Sequence, residues 1–216
     1  MTGSLIVNNL AGLMMFTSLM VIGVKRPTAS CWLYSLQALI LVLLFLTLSY
    51  TLDAHELRTW AISAFFTKVV LVPAILYFAF RTMRDPAHEG SVISLPVLMI
   101  LATAIVILCW FVAEPVQLPL LATLKPALAV SLGHFMVGLL CIVTQRNILK
   151  QVFGYCLMEN GSHLTLALLA SKAPELVEIG IATDAIFAVI IMTILARKIW
   201  RTLNTLSVDQ LTALKG

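Results

Sequence analysis

Ionisable side chains inside long apolar stretches are the residues of this sequence that could carry chemistry. Lys68, His134, Glu159 and Asp184 each lie within a hydrophobic run, and His163 follows Glu159 by four residues. Amines, imidazoles and carboxylates hold and release protons, with pKa values set by burial and neighbouring charges. At the centre of a bilayer such a group costs roughly 2.5–3.5 kcal/mol on insertion scales. The residue types therefore indicate proton transfer within a membrane.

The composition supports a membrane location. Of the 216 residues, 61% are hydrophobic and 11% are charged, with a mean hydropathy of +1.02. Soluble domains carry about 25% charged residues. We therefore predict an all-α integral membrane protein without a separate soluble domain. The net charge of +4 does not indicate nucleic-acid binding, because the basic residues fall at the ends of the apolar runs.

Run length predicts the helices that position these residues. A transmembrane helix needs about 20 apolar residues, whereas barrel strands are about ten residues long and alternate. The N-terminal segment MTGSLIVNNL lacks a positively charged region, so we expect the first run to remain as a helix. Seven transmembrane helices are predicted, at residues 5–24, 31–52, 57–80, 91–113, 122–144, 148–170 and 175–199.

The distribution of lysine and arginine predicts the orientation. Ten basic residues fall at one end of the predicted helices: Lys25, Arg26, Arg81, Arg84, Arg146, Lys150, Arg197, Lys198, Arg201 and Lys215. Three fall at the other end: Arg58, Lys125 and Lys172. Because cytoplasmic loops are enriched in Lys and Arg, we expect an N-terminus outside and a cytoplasmic C-terminus.

Four ionisable residues share one depth. The separations are 13 residues from Lys68 to Arg81, 12 from His134 to Arg146, 13 from Arg146 to Glu159 and 13 from Asp184 to Arg197. Each group therefore lies about 18–20 Å from the basic end of a roughly 30 Å hydrocarbon core. We predict a proton relay in the membrane plane. The alternative is that each group is a hydrogen-bonded contact holding helices together, and such contacts return only about 0.6 kcal/mol each.

Two local features support the relay. Pro73 removes the hydrogen bond to the carbonyl of Val69 and should kink the helix beside Lys68. Glu159 and His163 share a helix face, with Asn160 and Gly161 between them, which favours access of water to the glutamate.

Several other polar residues are expected to have structural roles only. Gln37, Asn8 and Asn9 are interpreted as packing contacts between helices. Lys125 and Glu178 are expected near the outer surface, where long side chains reach the interface without a functional role.

No cofactor is expected in this chain. The four cysteines show no metal-ligand spacing, and no nucleotide-binding motif is present. A haem held by His134 and His163 is disfavoured, because their levels differ by about 7.5 Å along the helix axes.

The last three predicted helices resemble the small K subunit of respiratory complex I and the equivalent subunit of multisubunit cation/proton antiporters. The resemblance rests on Arg146-Asn147-Ile148-Leu149, Gly154, Asn160, Ile179-Gly180, Asp184 and Arg197-Lys198. With four helices in front, and with the segments GYCLMENGSHLTLALLA and PELVEIGIATDAIFAV, the chain closely resembles the component E family of hydrogenase-4. That family belongs to the membrane part of group 4 nickel-iron hydrogenase (formate hydrogenlyase) complexes.

This resemblance divides the chain into a four-helix extension, residues 1–113, and a three-helix module, residues 114–216. Asp184 matches the acid in the last helix of the short subunits. The acid of their middle helix falls on Cys156, and Glu159 lies one turn further on, about 60° round and 4.5 Å along. Lys68 belongs to the extension and has no counterpart in the short subunits.

The resemblance implies a noncatalytic membrane subunit of a proton-coupled hydrogenase complex. Nickel-iron and iron-sulfur centres are then expected on partner chains, in a peripheral arm linked through antiporter-like membrane subunits. Glu159 and Asp184 would carry protons, His134 would relay them and Lys68 would act as a charge partner. The alternatives are a structural spacer subunit, a subunit of a cation/proton antiporter and a self-contained transporter of cations or small solutes.

Overall fold

The structure is a computed structural model that describes residues 2–83, 93–116 and 122–211. Its described part is helical, apart from an isolated bridge between Asn147 and Ser207. The helices are α1 (Thr2–Gly23), α2 (Pro27–Leu52), α3 (Glu56–Ala64), a π-helix (Phe65–Leu71), α4 (Val72–Thr82), α5 (Leu95–Ala113), α6 (Lys125–Thr144), α7 (Ile148–Leu169), α8 (Glu175–Leu203) and α9 (Val208–Leu211).

The all-helical membrane architecture agrees with the sequence prediction. Within the described residues, six helical segments are long and apolar enough to cross a membrane, one of which joins α3, the π-helix and α4. Helix α7 has 22 residues and packs against α6 and α8, but its polar residues lower its hydropathy. Seven spans and their orientation therefore stay predictions. Arg84 and Lys215, two of the ten residues in the orientation count, lie outside the described residues.

Helix ends follow local sequence chemistry. Pro96 and Pro126 lie in the first turns of α5 and α6, where a missing N–H does no harm. The side chain of Asn147 accepts hydrogen bonds from the backbone nitrogens of Leu149 and Lys150, at 2.9 and 3.3 Å, and so caps α7. Asn204 ends α8 in the left-handed conformation, with φ of 52°.

The third predicted helix is irregular at the position that Pro73 indicates. The carbonyl of Val69 accepts a hydrogen bond from Ser35 Oγ on α2, at 2.7 Å. The segment Phe65–Leu71, which contains Lys68, is π-helical. The predicted loss of the Val69 helical bond is thus accommodated by a wider turn and a neighbouring hydroxyl.

Glycines bring α6 and α7 into close contact. A methyl group at Gly161 would lie 2.5 Å from the backbone nitrogen of Phe135, and one at Gly154 would lie 2.9 Å from the carbonyl oxygen of Gly138. Small residues let backbones approach in membranes, where apolar burial alone provides little association energy. Helices α1 and α2 pack beside this pair, α5 lies against α6, and α8 lies against α7, α3 and α4.

Candidate functional site: a polar layer between two apolar clusters

A layer of polar side chains separates the core into two apolar clusters. One cluster lies toward the end of the bundle with the α2–α3 and α7–α8 connections, and includes Phe45, Trp60 and Leu164. The other lies toward the basic end and includes Val21, Leu76 and Phe153. We call the end of the bundle that carries the α2–α3 and α7–α8 connections the opposite end, because it lies opposite the basic end. The polar layer comprises Ser18, Tyr34, Gln37, Lys68, His134, Glu159 and Asn160, from five helical segments.

Lys68 joins the π-helix to α7. Its Nζ lies 2.5 Å from Glu159 Oε1 and 2.9 Å from Asn160 Oδ1. Lys68 is fully buried, whereas the Glu159 side chain retains 13% exposure. The ammonium and the carboxylate compensate each other, which a buried charge requires. The prediction that Lys68 and Glu159 share one level of the bundle is confirmed.

Hydrogen bonds continue from Asn160 to His134. Asn160 Nδ2 donates to Gln37 Oε1 at 2.9 Å and lies 3.4 Å from the hydroxyl of Tyr34. Gln37 Nε2 lies 3.3 Å from His134 Nε2. His134 is in turn 3.3 Å from Ser18 Oγ, which donates to the carbonyl of Met14 at 2.8 Å. His134 thus belongs to the same layer as Lys68 and Glu159, as its depth predicted.

These contacts define a consistent direction of donation. Since Asn160 donates to the Gln37 carbonyl oxygen, the Gln37 amide group must donate to His134 Nε2. His134 Nε2 then accepts from Gln37, which leaves Nδ1 to carry the proton of a neutral ring; Ser18 Oγ lies 3.3 Å from both ring nitrogens. The donors from Lys68 through Asn160 and Gln37 therefore all point toward His134.

His163 belongs to a different cluster. Its Nε2 lies 2.6 Å from Glu178 Oε2, and both side chains are almost fully buried. The imidazole packs against two aromatic rings that also contact each other, with its centroid 4.7 Å from that of Phe45 and 5.2 Å from that of Trp60. The interpretation of Glu178 as an interfacial side chain is wrong, because α8 turns this residue into the bundle against His163. We call these two residues the histidine pair.

Asp184 lies apart from the polar layer. Its position on α8 is exposed, and no described residue forms a hydrogen bond or ion pair with it. It is near enough to Tyr155 on α7 for an electrostatic interaction. The predicted common depth therefore does not bring Asp184 against Glu159, because α8 presents this residue on its outer face.

The sequence indicated only a packing contact for Gln37 and no role for Ser18 or Tyr34. Gln37 follows Arg26 by 11 residues, so the depth argument would have placed it about 16 Å from the basic end, close to the level of Lys68. The packing interpretation holds for Asn8, which bonds to the carbonyl of Thr123 and the backbone nitrogen of Ala127 at 3.0 and 3.1 Å.

Other polar contacts are structural. Lys150 is buried and donates to the carbonyl of Val24 near the end of α1. Lys125 donates to the carbonyl of Glu114 at 2.7 Å, which agrees with a position near the bundle end. Across the described ranges, no group of three or more His, Cys, Asp or Glu could hold a metal ion.

Comparison with known proteins agrees with this architecture. The family model described as NADH-ubiquinone/plastoquinone oxidoreductase chain 4L matches residues 126–216, from α6 onward. The fold and this match define a multi-pass membrane protein whose C-terminal part is similar to the chain 4L of that oxidoreductase.

Similarity over the full length defines the family more closely. The chain is 63% identical, over 216 residues and 100% of both chains, to hydrogenase-4 component E of Escherichia coli (strain K12) and of Shigella flexneri. The chain belongs to the hydrogenase-4 component E family, so the resemblance stated from the residues is confirmed. No solved structure matches the chain.

Proposed function

We propose that this chain is a noncatalytic membrane subunit of a proton-coupled hydrogenase complex of the formate hydrogenlyase type. Its close relatives are named as components of hydrogenase-4, which supports a place in such a complex. In this proposal the nickel-iron and iron-sulfur centres of the complex belong on partner chains. The complex resides in the bacterial inner membrane, with the basic end of this subunit in the cytoplasm.

In this proposal, protons move along the hydrogen-bonded chain of side chains from Glu159 to Ser18. Glu159 and Lys68 form one titratable end, and His134 forms the other. The carboxamides of Asn160 and Gln37 orient these ends, since amides themselves release no proton at neutral pH. Water between the helices completes the path, and protons enter the layer at Glu159, the partly exposed member.

Asp184 acts at the boundary of the subunit. A carboxylate facing lipid at mid-membrane is costly, so a neighbouring protein covers it in the assembled complex. The exposed face around it includes Gly180, Thr183 and Phe187, and a methyl group at Gly180 would meet nothing within 4 Å. We assign this face to an antiporter-like membrane subunit. Asp184 then passes protons between that subunit and the Tyr155 side of α7.

The test is neutralisation of the two carriers in the whole complex. The variants E159Q and D184N should lower hydrogenase-linked proton movement by roughly 100-fold, the lower end of what a positioned acid or base contributes. Hydrogen turnover and subunit composition should be retained. The matched control is E114Q, because Glu114 is an exposed carboxylate at the opposite end.

Proton movement is followed with a pH-sensitive dye in membrane vesicles, alongside hydrogen production. If E159Q translocates protons at the wild-type rate per hydrogen, the relay is refuted and a spacer role is favoured. Activity of the purified chain alone in liposomes would favour a self-contained transporter. Cross-linking of the variant D184C to a partner membrane subunit tests the assignment of the α8 face.

A further inference from the structure

The histidine pair contains buried polar atoms that the rest of the described chain leaves unsatisfied. Among the described residues, His163 Nδ1, Glu178 Oε1 and the neighbouring Trp60 Nε1 have no hydrogen-bond partner. Buried polar groups are nearly all paired in native proteins, and an unpaired one requires an explanation. A structural contact would need only the one bond between His163 and Glu178. The free oxygen of Glu178 and the free ring nitrogen of His163 leave each residue a second atom that can take up or release a proton.

The pair lies between the polar layer and the opposite end. Glu178 is the fourth residue of α8, about 4.5 Å from its start, and His163 is about 9 Å from the end of α7. Glu159 is about 15 Å from that same end. The three residues therefore descend in steps from mid-membrane toward the connection between α7 and α8.

The pair is also electrostatically connected to the polar layer. His163 lies one helical turn from Glu159 and interacts with the charges of Lys68, Glu159 and Glu178. These are the titratable groups that face the imidazole from the π-helix, α7 and α8. Phe45 from α2 and Trp60 from α3 pack against the ring. The buried imidazole thus has one acid, Glu178, in direct contact, and two further charged groups, Lys68 and Glu159, near enough to interact with it.

We propose that His163 and Glu178 form a branch that moves protons between the polar layer and the opposite end of the bundle. This inference rests on the proposed function, since it needs a polar layer that holds protons. It goes beyond that function by giving the layer a connection along the membrane normal, through a carboxylate outside the layer.

The transfer step is balanced. The neutral imidazole, with its proton on Nε2, accepts a proton from the Glu159 side at Nδ1. The Nε2 proton then passes over the 2.6 Å contact to Glu178 Oε2, leaving a neutral imidazole and a carboxylic acid. Glu178 releases that proton to water at the opposite end. A tautomer exchange through water then moves the ring proton from Nδ1 back to Nε2 and restores the starting state, and every step runs equally in reverse.

The test uses the intact complex in vesicles and the variants E178Q and H163Q. Glutamine at either position can retain the hydrogen bond between α7 and α8, but it cannot carry a proton. Proton movement per hydrogen should fall by roughly 100-fold in each variant. E178D, which keeps the carboxyl group, should retain more than E178Q, and E114Q should behave as wild type.

A second readout separates proton transfer from structure. The infrared difference spectrum of the working complex should contain a carboxylic-acid band that is absent in E178Q and present in E114Q. If E178Q fails to assemble, H163Q carries the test, because it leaves the Glu178 carboxylate in place. Wild-type coupling in assembled E178Q or H163Q overturns the inference.

Parallel measurement of E159Q distinguishes the two proposals. If E159Q loses coupling while E178Q and H163Q keep it, only the branch is wrong. If E159Q keeps coupling, the relay itself is wrong, and the branch fails with it.

Discussion

Replacing Lys68 with methionine tests the physical basis of the polar layer. Methionine preserves the apolar stem of the side chain and removes the ammonium group that contacts Glu159 and Asn160. Glu159 is then left as an uncompensated, mostly buried carboxylate. Breaking a buried ion pair by removing one partner costs about 3–5 kcal/mol. The low end of that range is expected here, because Glu159 can take up a proton.

A double variant separates the lost charge from the lost packing. In K68M/E159Q neither residue is charged, so the desolvation penalty of the orphaned carboxylate disappears. The double variant should therefore be more stable than K68M alone, although it carries one more substitution. The single variant E159Q leaves an ammonium without its carboxylate, but Asn160 Oδ1 still accepts from Lys68.

The assay is thermal unfolding of the detergent-solubilised complex. The measured quantity is the fraction of this subunit that stays bound to the complex as the temperature rises. K68M should unfold below the wild-type midpoint, and K68M/E159Q should recover stability relative to K68M. A conservative change at the bundle end, R58K, serves as the control, since Arg58 is exposed. If K68M/E159Q unfolds at or below the midpoint of K68M, the two residues do not compensate each other, and the charge argument is refuted.

Two further predictions concern packing and the amide link. G161A should lower the unfolding midpoint of the complex, because its methyl group would lie 2.5 Å from the backbone nitrogen of Phe135, and overpacking costs about 1–3 kcal/mol. The control G12A, at an exposed glycine of α1 where a methyl group would meet nothing within 4 Å, should be neutral. Equal midpoints for G161A and G12A would contradict the close packing of α6 and α7. Q37L should break the link between Asn160 and His134 and lower proton movement per hydrogen. Q37E still accepts from Asn160 and, when protonated, can donate to His134, so it should preserve proton movement. A Q37L complex with wild-type proton movement would remove Gln37 from the path.

Depth along a helix could be predicted from sequence, whereas rotation about the helix axis could not. Counting from the basic ends placed Lys68, His134 and Glu159 at one level, and the structure joins them through hydrogen bonds. The same count placed Asp184 at that level, but α8 presents it outward. Rotation depends on which face of each helix packs, and α8 is apolar on several faces, so its sequence does not indicate which one is buried.

The histidine pair was missed for a related reason. Glu178 was judged by its nearness to the predicted outer surface, where a long side chain usually reaches water. A count from the opposite end would have placed His163 and Glu178 within about one helical turn of each other in depth. In contrast, Pro73 alone predicts that the carbonyl of Val69 loses its helical hydrogen bond. The sequence does not indicate that the Ser35 hydroxyl donates to this carbonyl instead.

The packing of α6 against α7 bears on whether the polar layer is structural or functional. Gly154 and Gly161 already bring the two backbones together, and two apolar clusters fill the bundle on either side of the layer. Close packing of small residues is sufficient to associate helices in a membrane, while each interhelical hydrogen bond adds only about 0.6 kcal/mol. Replacing a buried ion pair with apolar residues of similar volume is often neutral or stabilising. A bundle selected for stability alone would therefore do as well with methionine and leucine at positions 68 and 159, and the presence of the ion pair favours proton transfer over a spacer role.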